Sequence, residues 1–149
     1  MKSHFLKSAA LFLSLAFCTA TYGQKHTDAA ARARAVKVSP AYCVLVLEKV
    51  KAEAEFYDFK QRYTATRPGY KGKAYTVIAL QREMKRLRAT PASRLSWLTE
   101  SYAKLLLRKV QLESNLVDLQ AKYTPDWPET KTTKYELAAL RRELKDLLR

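Results

Sequence analysis

Histidine, cysteine and glycine are scarce: the 149-residue chain holds two, two and three of them. His4 and His26 both lie near the N-terminus. The remainder therefore lacks the imidazole that a Ser–His–Asp triad or a Cys–His pair needs. No Cys/His cluster has zinc-ligand spacing. Gly23, Gly69 and Gly72 do not make a Gly-rich phosphate loop. Asn115, the sole asparagine, is followed by Leu116-Val117, so there is no glycosylation sequon. Acidic residues are also few, at 14 against 28 basic, giving a net charge of +14. That field favours anionic partners. Sustained apolar/polar alternation is missing as well, which argues against strands.

Met1–Gly23 has the layout of a secretory signal peptide: Lys2 and Lys7, an apolar run Ser8–Phe17, then small residues with cleavage sites after Ala20 or Gly23. The run falls short of the ~20 residues needed to cross a bilayer. Its removal would take two positive charges and leave +12. No transmembrane helix is expected in the mature chain, which would be periplasmic or secreted. Cys43 would be its only cysteine, and neighbours Tyr42, Val44 and Leu45 predict burial. Residues 24–40, with Lys25, Arg32, Arg34 and Lys37, read as a basic flexible leader, partly helical around Ala29–Ala35.

The rest of the chain repeats. A shift of 60 residues places Tyr42, Leu45, Leu47, Lys49, Val50, Glu53 and Asp58 on Tyr102, Leu105, Leu107, Lys109, Val110, Glu113 and Asp118. The same shift places Tyr63, Thr64, Pro68, Tyr75, Leu80, Arg82, Glu83 and Leu87 on Tyr123, Thr124, Pro128, Tyr135, Leu140, Arg142, Glu143 and Leu147. About 18 identities fall in about 48 ungapped positions, which marks a tandem structural unit.

Each unit reads as a helical hairpin, residues 41–89 and 90–149. The first long helix, about Ala41 to Tyr63, carries Tyr42, Leu45, Lys49, Ala52, Phe56, Phe59 and Tyr63 on one face. Its counterpart carries Leu95, Leu98, Tyr102, Leu105, Lys109, Leu112, Leu116, Leu119 and Tyr123, a heptad-like seam. Lys49 and Lys109 interrupt these seams, and either snorkelling or pairing with Glu53 and Glu113 accounts for them. Return helices are expected over about Pro68–Ala89 and Pro128–Leu148. Asp126 and Glu129 have capping-box spacing, whereas Gly69 stands at the Glu129 position and predicts a softer start. Between the units, Thr90-Pro91 suits a cap and a first helical position. A reversal there gives an up-down four-helix bundle, and a kink gives a coiled-coil-like rod. The fold is all-α, and the bundle buries more apolar surface.

Two basic clusters recur: Arg82, Lys85, Arg86 and Arg88, then Arg141, Arg142, Lys145 and Arg149. They are the candidate anion-binding residues. The plainer reading is a solvated face helped by charges near helix C-termini. Glu53 with Asp58, and Glu113 with Asp118, read as salt-bridge partners rather than catalytic carboxylates. No catalytic residue, metal ligand set or cofactor is expected.

Tyr123-Thr124-Pro125-Asp126-Trp127-Pro128-Glu129, with Leu116–Lys122 before it and Leu140–Leu144 after it, resembles a motif of bacterial exopolysaccharide chain-length determinant proteins and their tyrosine-kinase relatives. That resemblance implies an envelope-located helix–turn–helix beside other coiled coils. The family usually has His where this chain has Trp127 and Arg67, and it carries flanking membrane helices and often a kinase domain, neither of which is expected here. The reading is thus an exported, non-enzymatic helical repeat protein, an envelope interaction or scaffold module. Its partner would be an envelope protein, an anionic envelope polymer or a second copy, since long seams can close between chains. A basic periplasmic holdase and a binder of anionic envelope polymers are the alternatives. The export signal argues against nucleic acid.

Overall fold

The computed structural model describes residues 28–147. The signal-peptide reading and Arg149 lie outside them. Among these residues a division falls after Ala35, and those from Val36 onward form one compact unit. Residues 28–37 form helix α1, where the sequence predicts partial helicity.

The unit from Val36 onward contains α2 (Pro40–Arg62), α3 (Tyr70–Arg88), a 3-10 turn (Ala92–Trp97), α4 (Glu100–Lys122) and α5 (Pro128–Asp146). No strand occurs among the described residues. The repeat is legible in the lengths: α2 and α4 have 23 residues each, α3 and α5 have 19 each. Both long helices are capped alike. Ser39 Oγ accepts from Tyr42 N, with Pro40 at the first helical position, and Thr99 Oγ1 accepts from Tyr102 N. Both end at a tyrosine whose N–H closes the last turn, Tyr63 on Phe59 O and Tyr123 on Leu119 O.

The second return helix starts at Pro128 as expected but without its capping box, and the first starts later than expected. Tyr70 rather than Pro68 opens α3, because Thr64–Tyr70 forms two successive turns and Gly69 enters the left-handed region at φ 87°. That conformation is inexpensive only for glycine. No capping box forms at α5. Its N-cap is Trp127, without a side-chain cap bond, and Asp126 pairs with Lys131 at 3.1 Å instead.

The chain reverses after α3. Gly72 meets Asp118, Tyr75 meets Glu113 and Glu83 meets Lys109, so α3 and α4 run antiparallel. The seam expected to begin at Leu95 is broken there. Leu98 is buried, and its carbonyl takes the otherwise unpaired Ala41 N–H of the first turn of α2 at 3.1 Å. That bond holds the residue out of helical geometry, and Thr99 then caps α4.

Packing follows a stacking pattern. Within each hairpin α2 packs on α3 and α4 on α5; between hairpins α4 packs on both α3 and α2. The all-α bundle is therefore a stack of two hairpins, with α3 and α4 inside and α2 and α5 at its ends. The main core (Val36, Ala41, Tyr42, Leu45, Ala79, Leu80, Met84, Leu87, Leu98, Ala103, Leu106, Val110 and Leu144) gathers toward the end where α3 turns into α4. Along α2 burial fades: Tyr42 and Leu45 are buried, Lys49, Ala52, Phe56 and Phe59 are half-buried, and Tyr63 is exposed. The hairpin tips rest on aromatic contacts instead. Tyr123 stacks on Trp127 at 4.9 Å, and Arg67, at the position of Trp127, lies over Tyr63 at 5.2 Å. Cys43 is exposed, against expectation. Ala41, Tyr42 and Leu45 take the core-facing side of α2, and Cys43 falls off it.

Candidate functional site: a cation-rimmed cleft over buried carboxylates

At the middle of the α3–α4 seam lie two buried glutamates, Glu83 on α3 and Glu113 on α4, with the buried Lys109. Burying a charge requires a partner and hydrogen bonds to satisfy it. Lys109 Nζ donates to Glu83 Oε1 at 2.7 Å and stands 3.9 Å from Glu113 Oε1. Arg86 Nη1 reaches Glu83 Oε1 at 3.1 Å. Glu113 Oε1 accepts from Arg141 Nη2 of α5 at 2.7 Å. Its Oε2 accepts from Arg82 Nη2 and, at 3.2 Å, from the Tyr75 hydroxyl. The cluster thus joins three helices and both hairpins.

Burial pushes the Glu113 carboxyl up. The Arg141 hydrogen bond and the charges of Lys109, Arg82 and Arg141 outweigh burial and hold it below the usual carboxylate range. Glu113 is ionised at neutral pH with both oxygens engaged, so it has no proton to give. The Arg82 guanidinium is raised, first by its bond to Tyr75, with burial opposing and Glu113 assisting. Burial, then the charge of Glu83, raises the Tyr102 hydroxyl, with Arg86 acting against them.

Above this cluster α3 and α5 wall a cleft of about 480 Å³. Arg82 and Arg86 line one wall, Arg141, Leu144 and Lys145 the other, and Tyr102, Leu106 and Lys109 the floor. Arg94 and Trp97 close one end, with Arg94 over the Trp97 ring at 5.9 Å. Six cationic side chains (Arg82, Arg86, Arg94, Lys109, Arg141, Lys145) face two carboxylates, a surplus of four positive charges.

Of the residues predicted to bind anions, Arg82, Arg86, Arg141 and Lys145 therefore meet at one site. Lys85 and Arg142 are exposed elsewhere. Arg88 Nε donates to Tyr42 Oη on α2 at 2.9 Å, away from the cleft. Sequence reasoning misses Arg94, Trp97 and the buried Glu83–Lys109 pair. Their partners are 26 residues or more away or sit in a turn, so local spacing gives no signal. Lys49 pairs as its spacing predicts, with Nζ 2.6 Å from Glu53.

A second groove of about 720 Å³ lies between α2 and α4, lined by Lys51, Glu55, Lys73, Lys104 and Arg108 among others. Asp118 closes its tip end by accepting from Gly72 N at 3.0 Å. Among the described residues no helix is long and apolar enough to cross a membrane.

Compared with protein-family models, curated proteins and solved structures, the chain matches none.

Proposed function

We propose that this chain is an exported, non-enzymatic scaffold of the cell envelope, presenting stacked helical hairpins to a protein partner. The observation that carries the reading is the contrast between its seams. The α3–α4 seam is locked by buried ions, while the outer faces of α2 and α5 expose Leu47, Val50, Tyr135 and Leu147. Exposed apolar side chains grouped on the ends of a stack mark interaction surfaces. The Met1–Gly23 pattern supports export, and the Tyr123–Glu129 motif supports a place beside other envelope coiled coils. The test is affinity capture of the mature protein from solubilised envelope, washed at low and then high salt. A discrete protein retained at high salt is the expected result. A cytoplasmic, uncleaved chain contradicts the reading.

The cleft favours a second reading, the binding of an anionic envelope polymer. Lys109, Arg82, Arg86 and Arg141 are engaged by the buried glutamates, which leaves Arg94 and Lys145 as its freest cations. Binding carried by these two would weaken steeply with salt. Arg94→Glu with Lys145→Glu would abolish it while keeping the fold, and unchanged binding would exclude this reading.

A further inference from the structure

The two hairpins are built on one pattern, so the seam between them defines what the outer faces are built to meet. In the seam, the first return helix (α3) packs on the second long helix (α4). By the 60-residue correspondence, α5 is the copy of α3 and α2 is the copy of α4. Each outer helix therefore carries half of a seam whose other half is missing among the described residues.

The corresponding residues support this one by one. Val110 is 2% exposed within the stack, and its copy Val50 is 59% exposed. Leu87 is buried and Leu147 exposed; Ala103 is buried and Cys43 exposed. Tyr75, which reaches Glu113, is matched on α5 by Tyr135, 73% exposed. The buried Glu83 is matched by an exposed Glu143, and Arg82 by an exposed Arg142. On α2, Lys49 and Glu53 hold the positions of Lys109 and Glu113, and both remain partly exposed.

We infer that a second copy of this chain docks α2 against α5, head to tail, in the manner in which α4 docks against α3. Lys49 then meets Glu143 of the neighbour, Glu53 meets its Arg142 and Tyr135, and Val50 lies over its Leu140, as Val110 lies beside Leu80 in the seam. The charges are complementary by construction, since each pair copies one already made inside the chain. The tip end of the seam departs. Thr76 and Ser114, hydrogen-bonded across the seam at 2.9 Å, are matched by Glu136 and Ala54, and Gly72 is replaced by Thr132, where a Cβ at Gly72 would stand 2.2 Å from Asp118. The docked copies thus approach most closely toward the base and more loosely near Thr132 and Asp58. The interface is heterologous, so association continues beyond a dimer unless rotation closes a ring. It deepens the scaffold reading by naming a partner, yet rests on the repeat alone. Failure to self-associate would leave the envelope-capture test unaffected.

Sedimentation of the full-length chain as purified, across a concentration series, tests it. The unmodified chain is expected to grow beyond dimer. Lys49→Glu and Glu143→Lys should each weaken self-association about tenfold or more. Mixing these two variants should restore it. Each contact in the mixture then joins either the two substituted positions, with both charges reversed, or the unmodified Lys49 and the unmodified Glu143. Val50→Asp, which reverses no ion pair, should also weaken it, and unchanged helical circular dichroism verifies each fold. A chain that stays monomeric up to roughly 100 µM, well above typical interface strengths, overturns the proposal. So does a mixture that fails to recover association.

Discussion

The Lys-x-x-x-Glu pair occurs twice on equivalent helices and has two different meanings. On α4, Lys109 and Glu113 are buried and joined to Glu83, Arg82 and Arg141 from two other helices. On α2, Lys49 and Glu53 satisfy each other across one turn, with the Glu53 side chain 41% exposed. The residues are the same and the neighbours differ. An ion pair in water contributes at most about 1 kcal/mol, whereas removing one member of a buried pair strands the other at a cost of several. A local motif therefore states which pair can form, and its place in the stack decides whether the fold depends on it.

The sharpest way to break this contrast is at the glutamates. Glu83→Ala leaves the Lys109 ammonium buried with a distant partner, and should lower unfolding free energy by about 3 kcal/mol or more in urea titration. Glu143→Ala, at the equivalent exposed position, should change it by less than about 0.5 kcal/mol in dilute monomer. Equal losses would mean that the two hairpins are not stacked as described.

The next largest effect belongs to the close approach of α3 and α4. Gly72→Ala puts a methyl group where the Asp118 carboxylate lies and breaks the Gly72 N–H bond to it. The carboxylate can swing away, so the expected loss is about 1–2 kcal/mol, that of a partly buried charged hydrogen bond. Thr132→Ala should be near neutral, with the same denaturation curve within error.

Acid separates the seams too. Glu113 has its pKa held below the ordinary range in the folded state. Its stabilising contribution is therefore complete above the unfolded pKa, about 4.3, and is lost as pH falls through the lower folded value. Thermal melts should drop more steeply below about pH 4 for the unmodified chain than for Glu113→Gln. The Gln variant is less stable at pH 7, so the two curves should converge in acid. Parallel curves would assign the acid transition to other carboxylates.

The smallest expected effect lies at the tips. Trp127→Ala removes the stack on Tyr123 and should cost about 0.5–1.5 kcal/mol. Arg67→Ala, its counterpart over Tyr63, should cost about 1 kcal/mol or less. Amide exchange should quicken at the affected tip and leave Leu45 and Leu106 protected. Faster exchange throughout would join tip and base in one cooperative unit.

Much of this architecture is legible in the sequence because it is local and repeated. The seam spacing finds both long helices, and the repeat carries the return helices from one unit to the other. The unreadable part is the set of contacts between hairpins. One apolar stripe is evident on α4, yet that helix buries Ala103, Leu106 and Val110 as well, because it touches three neighbours. The run Leu105-Leu106-Leu107, richer than Leu45-Val46-Leu47, is the available hint. Arg82, Arg86 and Arg141 read as solvent-facing cations, since nothing in their local spacing reports that Glu83 and Glu113 would be buried against them. Cys43 misleads for the converse reason. Apolar neighbours in sequence do not share a helix face, and its copy Ala103 shows where such a position goes when covered.

The most direct test compares Lys109→Ala with Lys49→Ala by urea denaturation at neutral pH and low protein concentration. Lys109→Ala should lose about 3 kcal/mol and Lys49→Ala less than about 1 kcal/mol, with the same dependence on denaturant. Losses of equal size, or a larger one at Lys49, would contradict a stack in which α4 is interior and α2 is an end.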